Sequence, residues 1–213
     1  MAPDETGEVE WTEGRVVGVS TWRRDGPMLV FAHGAGTDRD HPLVVGTATG
    51  VASHGISVVT FDFPFRAEGR RWPPDRMDAL IGCLRSVVAW ASPRGRAFVG
   101  GRSLGGRVAT LAAAEGLASE GVICHAYPLH PRGRPERTRA AHLGEVSAPM
   151  LFVRGSRDEL ATDEPFDRLI RPLPGATVVD LDGVDHSFRA RAGGDDPVAR
   201  AADETSAWIL DTV

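Results

Sequence analysis

The sequence predicts an α/β fold with a mostly parallel central sheet, helices on both of its faces and an antiparallel edge at the amino-terminal side. Three observations lead there. Short apolar runs such as MLVFA (28–32) and ISVVTF (56–61) suit strands buried on both faces. Longer stretches with apolar residues at helical spacing lie between such runs. The 25 glycines and 15 prolines punctuate this alternation with no repeat and no linker. Strands that alternate with helices imply a parallel sheet. A length of 213 residues implies one domain over 1–213. Residues 1–8 are expected to be loose, as termini usually are.

Each element has its own reason. Residues 9–11 and 15–21 predict two short strands joined at Gly14, the antiparallel edge. The strand over 28–32 runs straight into His33-Gly34-Ala35-Gly36. A helix over 42–54 is stopped by Gly55. After the 56–61 strand, Pro74-Asp75 opens a helix through Trp90 whose one face carries Met77, Leu80, Ile81, Leu84, Val87 and Val88. AFVG (97–100) predicts a strand and 104–115 a helix. GVICHA (121–126) predicts a strand and 136–143 a shorter helix. MLFV (150–153) and ATVVDL (176–181) are strands with a helix over 166–173 between them. A helix over 196–210, with Pro197 in its first turn, closes the chain. Residues 127–148 leave room for one short helix and a loop, so no cap domain and an open site are expected.

Composition excludes several functions. With 42% hydrophobic and 25% charged residues, the chain is an ordinary folded protein and not a disordered one. A net charge of −5 argues against a nucleic-acid partner. All 24 basic residues are arginine, and lysine, asparagine and glutamine are absent. Codon bias in a GC-rich genome is the plain reading. It still rules out Schiff-base lysine chemistry, a P-loop lysine and a Cys-His-Asn triad. No apolar stretch approaches the ~18 residues of a membrane span. The first ten residues carry four acids, so no secretory signal is expected. Two cysteines make neither a disulfide framework nor a zinc ribbon, and they read as reduced thiols of a cytoplasmic protein.

In parallel sheets the chemistry sits beyond the carboxyl ends of the strands. After AFVG comes Gly101-Arg102-Ser103-Leu104-Gly105, a G-x-S-x-G pentapeptide. Its glycines permit a sharp strand-to-helix turn that holds the serine oxygen out above a helix amino terminus. Eleven serines among these glycines give roughly 0.15 chance matches, so the position between buried strand and helix carries the weight. A helix-capping serine in a glycine-rich turn is the plainer alternative. A serine needs a base, and His186 follows the ATVVDL strand in GVDHSF. A histidine needs a carboxylate, and Asp158 follows MLFV. Glu159, Asp163 and Asp185 remain competitors, Asp185 the weakest because an immediate neighbour seldom has the right angle. An oxyanion needs two backbone N–H donors, for which Leu104 and Ala35 are placed.

In these motifs the chain resembles a small single-domain α/β-hydrolase of the dienelactone-hydrolase-like branch. FAHGAG, FDFPFR, GGRSLGGR, YPLHPRGRPE, LFVRGSRDEL and GVDHSF carry the likeness. Within that branch it is most similar to bacterial hydrolases related to the testis-expressed α/β-hydrolases. The resemblance spans residues 28–213 and implies the α/β-hydrolase fold and a serine esterase or thioesterase. One departure is that dienelactone hydrolases proper use a cysteine nucleophile where Ser103 stands here. Some relatives keep the fold for binding alone. A non-catalytic interaction module is therefore one alternative, and an acyltransferase or perhydrolase with the same three residues is another.

Candidate substrate contacts are His33, Phe65, Arg66 and Tyr127, with His33 equally readable as a structural hydrogen-bonder of its loop. Trp72 and Phe63 are further loop aromatics. Arg66, Arg70, Arg71, Arg132 and Arg134 are a possible clamp for an anionic group or plain surface charge. Arg102 is expected to pair with a sheet-edge acid. The remaining histidines lack metal-ligand spacing and no G-x-G-x-x-G loop follows the first strand, so neither metal nor cofactor is expected. The expected partner is a small ester or thioester, with no membrane association, and the chain is a monomer or homodimer.

Overall fold

Eight strands form one sheet in the order β1-β2-β4-β3-β5-β6-β7-β8. The structure is a computed structural model that describes residues 1–93, 97–190 and 195–213. The strands are β1 (Glu5–Thr12), β2 (Arg15–Trp22), β3 (Met28–Ala32), β4 (Ser57–Phe61), β5 (Phe98–Arg102), β6 (Gly121–His125), β7 (Met150–Gly155) and β8 (Ala176–Leu181). β1–β2 and β2–β4 pair antiparallel, and every later pairing is parallel. The helices are α1 (Pro42–Ser53), α2 (Pro64–Ala67), α3 (Met77–Ala91), α4 (Leu104–Ala114), α5 (Asp163–Leu169) and α6 (Pro197–Thr212).

The strands β3 to β7 are buried along almost their whole length, as their continuous apolar runs require. One face of the sheet packs Val30, Val59, Val99 and Phe152 against Leu80, Leu84 and Val87 of α3 and Val108 of α4. The other packs Phe31, Val58 and Leu151 against Val44 and Val51 of α1 and Ala202 and Ile209 of α6. α6 starts at Pro197 under an Asp196 cap that accepts from the Val198 N–H at 2.9 Å. Cys83 and Cys124 are free and buried. Among the described residues no helix is long and apolar enough to cross a membrane.

Three expectations need correction. The terminus is ordered from Glu5: β1 pairs Glu5 with Thr21 and Glu8 with Gly18, because the β2 backbone supplies partners whatever the side chains are. Residues 136–143 form no helix, and only a 3₁₀ turn stands at Leu143–Glu145. There the Arg139 backbone is bonded elsewhere, its N–H to Leu129 O at 2.7 Å and its carbonyl to the Tyr127 hydroxyl at 2.9 Å. The helix expected over 166–173 lies earlier, over Asp163–Leu169. The connection between β6 and β7 carries no cap domain.

Candidate active site

Ser103 sits between β5 and α4 with φ 52° and ψ −110°. This left-handed backbone costs a non-glycine residue about 1–3 kcal/mol. It persists because both flanks are over-determined. A Cβ on Gly101 would lie 2.6 Å from Ala32 O, and one on Gly105 would lie 2.5 Å from the same atom. Only glycine lets α4 approach β3 this closely. The Ser103 N–H donates to His125 O at 2.8 Å, which ties the turn to β6.

His186 lies in the loop after β8 and Asp158 in the loop after β7. The His186 Nε2 is 3.0 Å from Ser103 Oγ. Its Nδ1 is 2.9 Å and 2.8 Å from the two Asp158 oxygens. A carboxylate can only accept from Nδ1, so the proton belongs there and Nε2 presents its lone pair to the serine. The Asp158 carboxylate is fully buried and also accepts from the Leu160 N–H at 2.8 Å. The two loops are bound together: the Arg157 N–H donates to Val184 O at 2.9 Å, and a Cβ on Gly155 would lie 2.2 Å from that oxygen.

The competing acids are otherwise occupied. Glu159 pairs with Arg132, and Asp163 with Arg154 at 2.8 Å. Asp185 Oδ1 accepts from the N–H groups of Ser187 at 2.8 Å and Arg189 at 3.0 Å, so it shapes its own loop.

A cleft of about 600 Å³ opens over Ser103 and His186. Ala35, Gly36 and Thr37 form one wall, the start of α1 at His41, Pro42 and Leu43 a second, and Ser187, Phe188 and Arg189 a third. Among the described residues the Ala35 N–H bonds to no other group of the chain. Leu104 is the first residue of α4, so its N–H precedes the helix's own ladder. Among the described residues no three His, Cys, Asp or Glu side chains form a metal-holding group.

Residues 25–210 match the family described as the alpha/beta hydrolase domain. The chain belongs to that family. Solved structures agree in fold. An alpha-beta serine hydrolase homologue from Coxiella burnetii is 17% identical over 100% of this chain and 99% of that one, with a TM-score of 0.75. The dienelactone hydrolase of Anabaena variabilis is 20% identical over 97% and 96%, with a TM-score of 0.78. XC6422 of Xanthomonas campestris, described as an a/b serine hydrolase without lid, is 19% identical over 99% and 94%, with a TM-score of 0.71.

Within this alpha/beta hydrolase the four candidate substrate contacts lie away from the cleft lining. His33 is fully buried; its Nε2 accepts from the Phe63 N–H at 3.0 Å and its Nδ1 faces Gly34 O at 2.7 Å. Burial pushes its pKa down to about 4, so it is a neutral structural link. Phe65 and Tyr127 are core residues. Segment 64–67, read as loop, is α2, which turns Phe65 inward and sends Arg66 onto Asp38 at 2.6 Å. Tyr127 packs edge-on to Phe152 at 5.6 Å. Of the loop arginines, Arg70 pairs with Glu68 at 3.0 Å and Asp75 at 2.5 Å, and Arg132 is held by Glu159.

Among the described residues the arginines facing the cleft are Arg102 and Arg189, which pattern reading did not place there. Among the described residues Arg102 forms no ion pair with an acid. Its Nη2 donates to the main-chain oxygen of His186 at 2.6 Å. Burial works against its charge, and Asp158 and Asp185 work for it. The signal was positional: Arg102 precedes the nucleophile and Arg189 follows His186 by three.

Proposed function

We propose that this alpha/beta hydrolase is a serine hydrolase that cleaves a small carboxylic ester or thioester through an acyl-enzyme on Ser103. The observation that carries the reading is the unbroken chain from Ser103 Oγ through His186, 3.0 Å at one nitrogen and 2.8 Å at the other, to buried Asp158. Ser103 Oγ attacks the carbonyl carbon while its proton passes to Nε2. The Ala35 and Leu104 N–H groups hold the negative oxygen of the tetrahedral intermediate. Collapse expels the alcohol or thiol, which takes the proton from the imidazolium. Water then enters as the second nucleophile, with His186 again as base, and the acid leaves. Asp158 orients the ring and stabilises the imidazolium throughout. His33 has no place in these steps. The open, uncapped cleft suits small or protruding esters. Free, buried Cys83 and Cys124 fit a reducing compartment, and the cytoplasm is the proposed location.

The test is labelling with a fluorophosphonate, read by intact mass. One adduct is expected on the wild-type protein and none on Ser103→Ala. A folded wild-type protein that takes no adduct would favour the non-catalytic module, for which the filled site supplies no reason.

A further inference from the structure

We infer that Arg102 is a positioning residue that braces the loop bearing His186 and the loop bearing Ala35 around Ser103; this rests on the hydrolase reading above. Arg102 ends β5 and is 8% exposed. Its Nη2 holds the His186 carbonyl at 2.6 Å. Among the described residues this is the one hydrogen bond made by the main chain of His186. Its Nη1 packs on the other loop, where a Cβ on Gly34 would lie only 3.2 Å away.

The rest of the environment argues against simple packing. No carboxylate among the described residues forms an ion pair with Arg102. Its buried Nε has no partner. Asp158 is committed to His186, and Asp185 to the Ser187 and Arg189 amides. A buried cation with no direct ion pair is costly even with Asp158 and Asp185 nearby, and an apolar side chain would fill the same space without that cost. What the guanidinium adds is a charged donor for the His186 carbonyl on one side while its other terminal nitrogen lies against Gly34 on the second loop. The hydrogen bonds from Asp158 and Ser103 aim the imidazole ring. Neighbouring bonds shape the loop at Val184, Asp185, Ser187 and Arg189, and the charge-assisted bond from Arg102 is the one that fixes the carbonyl of residue 186 itself.

The experiment compares wild type, Arg102→Met and Arg102→Gly with p-nitrophenyl acetate and with a fluorophosphonate. Thermal melts establish that each variant is folded. A misplacement of about 1 Å costs up to about a hundredfold in rate. Arg102→Met is therefore expected to lose about ten- to a hundredfold in kcat and in fluorophosphonate labelling rate, with KM little changed. Free guanidinium, added well below denaturing concentration, is expected to restore part of the rate to Arg102→Gly and none to Arg102→Met or the wild type. Equal kcat in wild type and Arg102→Met overturns the inference. So does the absence of guanidinium rescue in a folded Arg102→Gly. Loss of the thermal transition in both variants assigns Arg102 to the fold and overturns it as well. A wild-type protein that takes no label overturns the hydrolase reading instead, so the two failures are distinct.

Discussion

Side-chain direction at three loop ends decides the chemistry of the site. The motif around Ser103 was readable because its cause is local: two glycines and a serine within five positions force the turn. The choice of carboxylate was not local. Asp158, Glu159 and Asp163 lie within six positions, and only their partners separate them, His186 for the first and arginines for the other two. Asp158→Asn tests that choice. An asparagine amide keeps the shape but favours the wrong imidazole tautomer. A loss in kcat of the order of 10⁴ is expected, with the melting temperature little changed. Steady-state kinetics of the folded variant check this, and a loss of only a few-fold would return the role to another acid.

At the level of elements, apolar periodicity marked the strands β2 to β8 and the long helices well. It failed where elements owe their form to partners. In β1 only residues 9–11 carried an apolar signal; Glu5 and Glu8 are exposed, and the β2 backbone extends the strand back to Glu5. Residues 136–143 have helix-forming composition, but Tyr127 and Leu129 take up the Arg139 backbone groups. The α1–α6 contact depends on small residues. A Cβ on Gly50 would lie 2.6 Å from the Ala202 Cβ, and one on Gly46 would lie 3.0 Å from Val198. Gly50→Val should force α6 outward and destabilise the fold by about 1–3 kcal/mol. The urea midpoint reads this directly, and an unchanged midpoint would mean that the helices separate without cost.

The whole molecule should be acid-sensitive through histidines that take no part in the chemistry. Burial lowers His33 and His142 to about 4 and His125 to about 3. His125 Nε2 faces Thr205 Oγ1 at 2.8 Å, which links β6 to α6. In the unfolded chain these rings take up protons near pH 6.5. Between that pH and the lowered values the unfolded state therefore binds more protons. Stability is complete above about pH 6.5 and falls as the pH drops toward 4. Melting temperatures across that range should decline, and a His125→Phe, Thr205→Val double variant should decline less steeply. A double variant with the wild-type slope would remove His125 from this account.

The succession of strands and long helices along the chain, the strained serine turn and the absence of a cap were all legible, since each depends on residues close in sequence. So was the pairing of Ser103 with His186, because a parallel sheet gathers the residues that follow its strands at one edge. The walls of the cleft were not legible. β5, β7 and β8 bring three loops together, and contacts between segments far apart in sequence settle which side chains turn inward. That is why His33, Phe65 and Tyr127 are buried, why Arg66 turns to Asp38, and why Arg102 reaches the backbone of His186. Local pattern records what a segment prefers, whereas the direction of a loop side chain depends on neighbours that only folding supplies.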